Sequence, residues 1–315
     1  MKRAVIQRLI LVMVVVSLCF VARRYGSTGE PKKLAPMAEI VTGVGTPAVD
    51  EPEPIAAKAP KSAGFTYSEE ETIVGALPEA VREYGFDARE IARRLKAWDF
   101  SALRLDSVDG EQEKKVAFLT FDDGPSAKNT PQILDILKKE KVRATFFVEG
   151  DHLEKESLHE VLKRELCEGH AIGNHTYDHE YKKLYPNRRL NIENFKAELE
   201  MCDNKLKEVL GKNFQTRIVR CPGGSMSWRG MEPLIAYFAR KDMVSVDWNI
   251  EVGDALARPK KAAQLVETVR AACDPMVKMA LLLMHDSAPE RETVKALPAI
   301  IKCLKENGFE FKILV

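Results

Sequence analysis

The chain lacks a surplus of either charge: its 315 residues carry 48 Lys and Arg against 47 Asp and Glu, a formal net charge of +1. That balance excludes the concentrated basic footprint of a nucleic-acid binder, so no nucleic-acid partner is expected. Cysteine is sparse as well. The six residues (Cys19, Cys167, Cys202, Cys221, Cys273 and Cys303) contain no Cys-x-x-Cys pair, which excludes a disulfide-dense mini-domain and a cysteine zinc site. The five beyond Cys19 are an odd number, so an exported domain keeps at least one thiol without an intramolecular partner. A small-x-small cleavage site is also missing after the N-terminal apolar run, which favours an uncleaved anchor over a removed signal peptide.

That run is the first positive feature. Lys2, Arg3 and Arg8 precede the apolar residues 9–22, and Arg23 and Arg24 close them, the layout of an export signal. The expectation is a signal anchor or signal peptide over 1–26. It places the rest of the chain outside the cytoplasm, held at the cell membrane, or secreted if the segment is cleaved. Residues 27–64 are rich in Pro, Ala, Gly, Lys and Glu without a sustained period and read as a disordered tether. Residues 65–113 bring apolar residues at helical spacing (Ile91, Leu95, Trp98) and predict a short helical lead-in.

From 114 to 315 apolar strand-like runs alternate with amphipathic helical patterns. Strands are predicted at 116–120, 144–148, 171–173, 217–220, 243–247, 279–284 and 309–315. Helices are predicted at 131–140, 153–167, 192–210, 233–240, 261–272 and 291–307, with Thr130 as N-cap before Pro131. Strands separated by helices imply βα units and a mostly parallel α/β sheet, open or closed as a barrel. In a barrel, chemistry collects where strands end.

Five strand ends carry ionisable or turn-forming groups. Asp122-Asp123-Gly124-Pro125 sets two carboxylates directly after a buried strand, a costly placement unless they are paired or hold a metal. His175 and His179 can converge on one ion if the segment between them turns helically. With one of the two Asp residues they make three ligands and leave positions open for water and substrate. Arg220, before the turn Pro222-Gly223-Gly224, has the planar fork that orients a carboxylate, and the turn offers backbone N–H groups to an oxyanion. Asp247-Trp248 and Leu282-Leu283-Met284-His285 close two further runs, and His285 has the titration range of a general acid.

In these residues the stretch 114–315 resembles the NodB-homology polysaccharide deacetylases, carbohydrate esterase family 4. The matching motifs are TFDDGP at 120–125, HTYDH at 175–179, RCPGG at 220–224, the Asp247-Trp248 pair and LLMH at 282–285. The resemblance implies a distorted (β/α) barrel and one divalent metal, Zn2+ with Co2+ or Mn2+ as alternatives, held by Asp123, His175 and His179. It implies Asp122 as general base, Gly223 as the backbone donor to the oxyanion and His285 as the acid for the leaving amine. By the same resemblance Arg220 orients Asp122, Asp247 holds His285 charged, and Trp248 with Leu283 walls the acetyl pocket. Gly223 stands where many relatives carry an aromatic residue, which removes that ring's packing against the sugar. The expected partner is an N-acetylated polysaccharide, peptidoglycan first because the anchor and tether reach a cell wall. Chitin oligomers, an exopolysaccharide, acetylated xylan, or a catalytically silent binding role are the alternatives.

Overall fold

The computed structural model describes residues 84–105, 112–258 and 260–315. The expected anchor and tether lie outside the described residues, and among those described no helix is long and apolar enough to cross a membrane. In chain order the elements are β1 (Gly85–Phe86), α1 (Ala88–Lys96), β2 (Leu103–Leu105), β3 (Gln112–Gly124), α2 (Asn129–Glu140), β4 (Thr145–Val148), α3 (His159–Cys167), β5 (Ala171–Asn174), α4 (Tyr181–Leu184), α5 (Ile192–Leu210), β6 (Ile218–Val219), α6 (Glu232–Lys241), β7 (Val244–Ser245), β8 (Ile250–Glu251), α7 (Ala262–Ala272), β9 (Met279–His285), α8 (Arg291–Glu306) and β10 (Phe309–Leu314).

The sheet is parallel along β7-β6-β5-β4-β3-β9-β8. One segment joins its two edges. Val244 and Val246 donate to Arg217 and Val219 beside β6, whereas Asn249 and Val252 donate to Leu281 and Leu283 of β9. The Asn249 side chain strengthens the second seam, donating to the Met279 carbonyl and accepting from the Leu281 amide. The sheet therefore curls, and all the carboxyl ends of its strands meet on one side.

Period-two alternation divides the side chains into two layers. Ala117, Leu119 and Phe121 of β3, with Ala280, Leu282 and Met284 of β9, pack under α2, α7 and α8 in the larger core. Val116, Phe118, Met279 and Leu281 point the other way, into a second core shared with Phe147, Ile218 and Val246. Continuing that inward phase along β3 reaches Thr120 and then Asp122. Along β9 it reaches Leu283 and then His285.

The lead-in differs from a purely helical one. Its described residues form β1, α1 and β2: β1 pairs in parallel with β10, and β2 pairs antiparallel with β3. Ala88, Ile91 and Ala92 of α1, with Leu103 and Leu105 of β2, join the inner core, because a curled sheet leaves one end open and apolar side chains must fill it. Trp98 leaves the helical pattern. It follows the last turn with φ 54° and is exposed. At the start of α2, Thr130 does not cap. Its hydroxyl accepts from the Ser126 amide and donates to the Asp286 carboxylate, and the helix begins at Asn129. The helix predicted over 153–167 opens as two short 3-10 turns, Gly150–Glu154 and Glu156–Leu158, before α3.

If the lead-in belongs to the same cooperative unit, Ile91→Ala lowers unfolding stability by about 2–5 kcal/mol, as expected for a truncated core isoleucine. Denaturant unfolding of the variant measures this, and a cost below about 1 kcal/mol would show that the segment is merely appended.

Candidate active site

The inward phase of β3 brings Asp122 to the carboxyl end of the sheet, but ordinary alternation would send Asp123 to the opposite face. A bulge prevents this. Asp122 pairs with Phe147 and Gly124 with Val148, so Asp123 is the extra residue, at φ 65°. Both carboxylates thus serve one site.

Asp122 is buried and accepts from Arg220 Nη1 at 2.7 Å. Arg220 is fully buried, and three further bonds satisfy it. Nη1 reaches Thr120 Oγ1 at 2.6 Å, Nε reaches the Val246 carbonyl at 2.9 Å, and Nη2 reaches the Asp247 carbonyl at 3.1 Å. Its guanidinium lies 4.1 Å from the centre of the Phe147 ring and 5.6 Å from that of Trp248. Gly173 makes room for this stack, because a Cβ there would meet the Phe147 ring at 2.6 Å.

The two histidines sit on a loop after β5 rather than on a helix. Thr176 and His179 adopt φ 71° and 52°, conformations that need support from the surroundings. That support comes from Asn174, which accepts from the Thr176 amide, and from Glu198 of α5, which accepts from the Tyr177 and Asp178 amides. His175 Nδ1 donates to the Arg220 carbonyl at 2.7 Å, so the neutral ring turns the lone pair of Nε2 toward Asp123 Oδ1, 3.2 Å away. His179 Nε2 lies 3.7 Å from the same oxygen. Asp123 Oδ1 is buried without a hydrogen-bond partner, and ligand-type atoms of Asp123, His175 and His179 fall within 4.8 Å of one another. Acceptors facing one another in a buried place require a proton or a cation between them. Two imidazoles and a carboxylate suit one divalent ion.

Burial opposes ionisation of Asp123, but whenever the rings are protonated the hydrogen bond and charge of His175, then the charges of His285 and His179, would hold its carboxyl well below the usual range. Burial and the neighbouring His175 push His179 down to about 4. His285 shows the reverse: burial alone would lower it, yet the hydrogen bond and charge of Asp254 carry it up to about 10.

That pairing corrects the role expected of Asp247. His285 Nδ1 donates to Asp254 Oδ1 at 3.0 Å, and Asp254 Oδ2 accepts from the His285 amide and from Thr293. Asp247 accepts instead from the amide and hydroxyl of Ser225. Alternation is the reason: Val246 and Trp248 face the inner core, so Asp247 between them faces away. Trp248 is half-buried beside Arg220, and Leu283 lies on the inward phase two residues before His285. Gly223 has φ 71° in the turn closed by Gly224 N–H to the Cys221 carbonyl.

Two residues beyond the expected set adjoin the site. Asp254 follows β8, a two-residue strand with too little apolar pattern to betray it. Glu149, directly after the apolar β4, obeys the same strand-end rule as the others. Burial, then the charge of Asp123, pushes its carboxyl up to about 9.

A polysaccharide deacetylase family model matches residues 109–231. A peptidoglycan-N-acetylglucosamine deacetylase of Bacillus cereus is 34% identical over 205 residues, covering 64% of this chain and 70% of that protein. The chain belongs to the polysaccharide deacetylase family. This chain is also 31% identical over 208 residues to a chitooligosaccharide deacetylase of Bradyrhizobium, covering 61% of this chain and 86% of that protein. Among solved structures, a CE4 esterase of Streptococcus mutans superposes with a TM-score of 0.66 at 33% identity, over 75% of this chain and 94% of that one. A polysaccharide deacetylase of Bacillus cereus gives 0.55 at 33% identity, over 64% and 92%.

The pairing of His285 sets a pH signature. Its folded value of about 10 lies above the unfolded value of about 6.5, so its contribution to stability is complete below about pH 6.5 and is lost as pH rises through 10. Asp254→Asn removes the negative partner. The His285 titration, followed by NMR of the imidazole in metal-free protein, should move down by more than one unit, and the alkaline loss of stability should shrink. Asp247→Asn should leave the imidazole titration within about half a unit. Equal shifts in the two variants would refute the assignment.

Proposed function

We propose that this deacetylase hydrolyses N-acetyl groups of an amino-sugar polymer outside the cytoplasm, with N-acetylglucosamine of peptidoglycan as the substrate and zinc as the metal. The observation that carries the reading is the pair of opposed ion pairs, Arg220–Asp122 and Asp254–His285, flanking the Asp123, His175 and His179 cluster. One pair holds a carboxylate ready to take a proton, and the other holds an imidazolium ready to give one. The relatives named as deacetylases of peptidoglycan N-acetylglucosamine and of chitooligosaccharides support an N-acetylglucosamine unit. The basic and apolar N-terminal segment supports membrane attachment and access to a cell wall.

In this reading Asp123, His175 and His179 would hold the metal, which when bound would supply Lewis-acid polarisation of the acetamide carbonyl and of water. Asp122, oriented by Arg220, accepts a proton from the attacking water as its oxygen bonds to the carbonyl carbon. The Gly223 N–H donates to the oxyanion of the tetrahedral intermediate. His285 then delivers its proton to the amide nitrogen, the C–N bond breaks, and acetate and a free amino sugar leave. Trp248 and Leu283 wall the space for the acetyl methyl, and the protein around them is the distorted barrel of the family.

The test is acetate release from N-acetylated peptidoglycan by metal-stripped protein before and after zinc is restored, with chitin oligomers and acetylated xylan in parallel. Zinc-restored release from peptidoglycan supports the proposal, and release from xylan alone would overturn the amide-hydrolase reading. Asp122→Asn should lower kcat by roughly 10²–10⁴-fold while calorimetry still finds zinc bound. Near-normal turnover in that variant would remove Asp122 from the role of base.

A further inference from the structure

Gly223 is glycine for two reasons. Its φ of 71° disfavours a side chain, and a Cβ there would lie 3.2 Å from Trp228 Cζ2 and 3.3 Å from Tyr181 Cε1 and Oη. The space a side chain at 223 would take is therefore filled by two rings that arrive from elsewhere in the chain. Tyr181 comes from the first residue of α4, just after His179, and Trp228 from the residue after the 3-10 turn Ser225–Ser227.

The two rings belong to a graded aromatic row. His179 and Tyr181 meet edge to face with centroids 4.9 Å apart, and Tyr181 and Trp228 lie tilted at 5.4 Å. Trp228 stacks on Tyr185 at 4.0 Å with 5° between planes. Its Nε1 donates to the Pro222 carbonyl at 2.8 Å, and the Arg188 guanidinium lies 5.4 Å from its centre. Tyr185 is buried at the inner end of the row, whereas Tyr181 is 43% exposed at the end nearest the histidine cluster. An aromatic backed by a second ring and partly exposed beside a catalytic cluster offers a binding surface whose side-chain ordering cost is reduced by that packing.

We propose that Tyr181, backed by Trp228, is the stacking platform for the pyranose ring whose acetamide enters the site, and that it selects sugars of gluco configuration. This rests on the deacetylase reading above. A gluco-configured pyranose holds its substituents equatorial and presents axial C–H groups on both faces, which suits the electron-rich face of a tyrosine. An axial hydroxyl, as in the galacto series, puts a polar group on one of those faces and weakens the contact. Tyr181 thus supplies from the histidine loop the aromatic surface that the turn at Gly223 cannot carry.

The experiment compares wild type, Tyr181→Ala, Tyr181→Phe and Tyr181→Trp in the full-length, zinc-loaded enzyme on N-acetylglucosamine oligomers. Calorimetric binding of the same oligomers and of N-acetylgalactosamine oligomers is measured in an Asp122→Asn background. Tyr181→Ala should raise KM about tenfold with kcat changed less than about threefold, the loss of one aromatic contact worth about 1.4 kcal/mol. Phe and Trp should restore KM, and the variant should bind gluco and galacto oligomers more equally. Zinc affinity is measured alongside. An unchanged KM, or a fall in kcat that tracks lost zinc, would overturn the proposal, because Tyr181 would then only prop His179. If wild type releases no acetate from any oligomer, the deacetylase reading fails, while oligomer binding in the Asp122→Asn background still decides the platform.

Discussion

The buried guanidinium of Arg220 is the constraint around which the carboxyl end of the sheet is arranged. Removing such a charge from water costs several kcal/mol, and a single partner does not recover it. The chain answers with Asp122, Thr120 and the carbonyls of Val246 and Asp247, and with the faces of Phe147 and Trp248. These partners come from β3, β4 and the segment that joins the sheet edges. The arginine therefore ties the closure of the sheet to the orientation of one carboxylate. Its own carbonyl extends the tie by accepting from His175 and thereby choosing the tautomer that faces Asp123.

Strain gathers around the same point. Asp123, Thr176 and His179 are non-glycine residues at positive φ, and two of them, Asp123 and His179, contribute to the cluster of acceptor atoms. Such conformations persist where the surroundings over-determine them. The bulge in β3 fixes the first, and Asn174 with Glu198 fixes the loop that carries the others. The opposite side of the site is built by charge rather than strain. Asp254, itself secured by Thr293 and by two backbone amides, raises His285 far enough to keep a proton to give.

Much of this was legible in the chain because ionisable residues that end apolar runs are conspicuous. Once helices alternate with strands, a parallel sheet gathers those ends on one face. Asp122, His175, Arg220 and His285 stand at such ends, and Glu149 after β4 obeys the same rule. Asp254 was not legible, because β8 is only two residues long. Asp247 also ends an apolar run, but the inward phase of Val244, Val246 and Trp248 points it elsewhere. The aromatic missing at Gly223 was likewise visible in the sequence. Its replacement by Tyr181 and Trp228 was not, since 42 and 5 residues separate them from it along the chain.

What the sequence determined by itself is the alternation of strands and helices over 114–315, the balance of charge, the basic and apolar pattern of the N-terminus and the chemical types gathered at the strand ends. These follow from local periodicity and from the cost of placing polar groups beside apolar runs. Only the tertiary structure decided which aspartate meets His285, which way Asp123 turns, and which ring covers Gly223. Each of those depends on a one-residue change of phase or on a contact between distant segments, and neither leaves a mark in local composition.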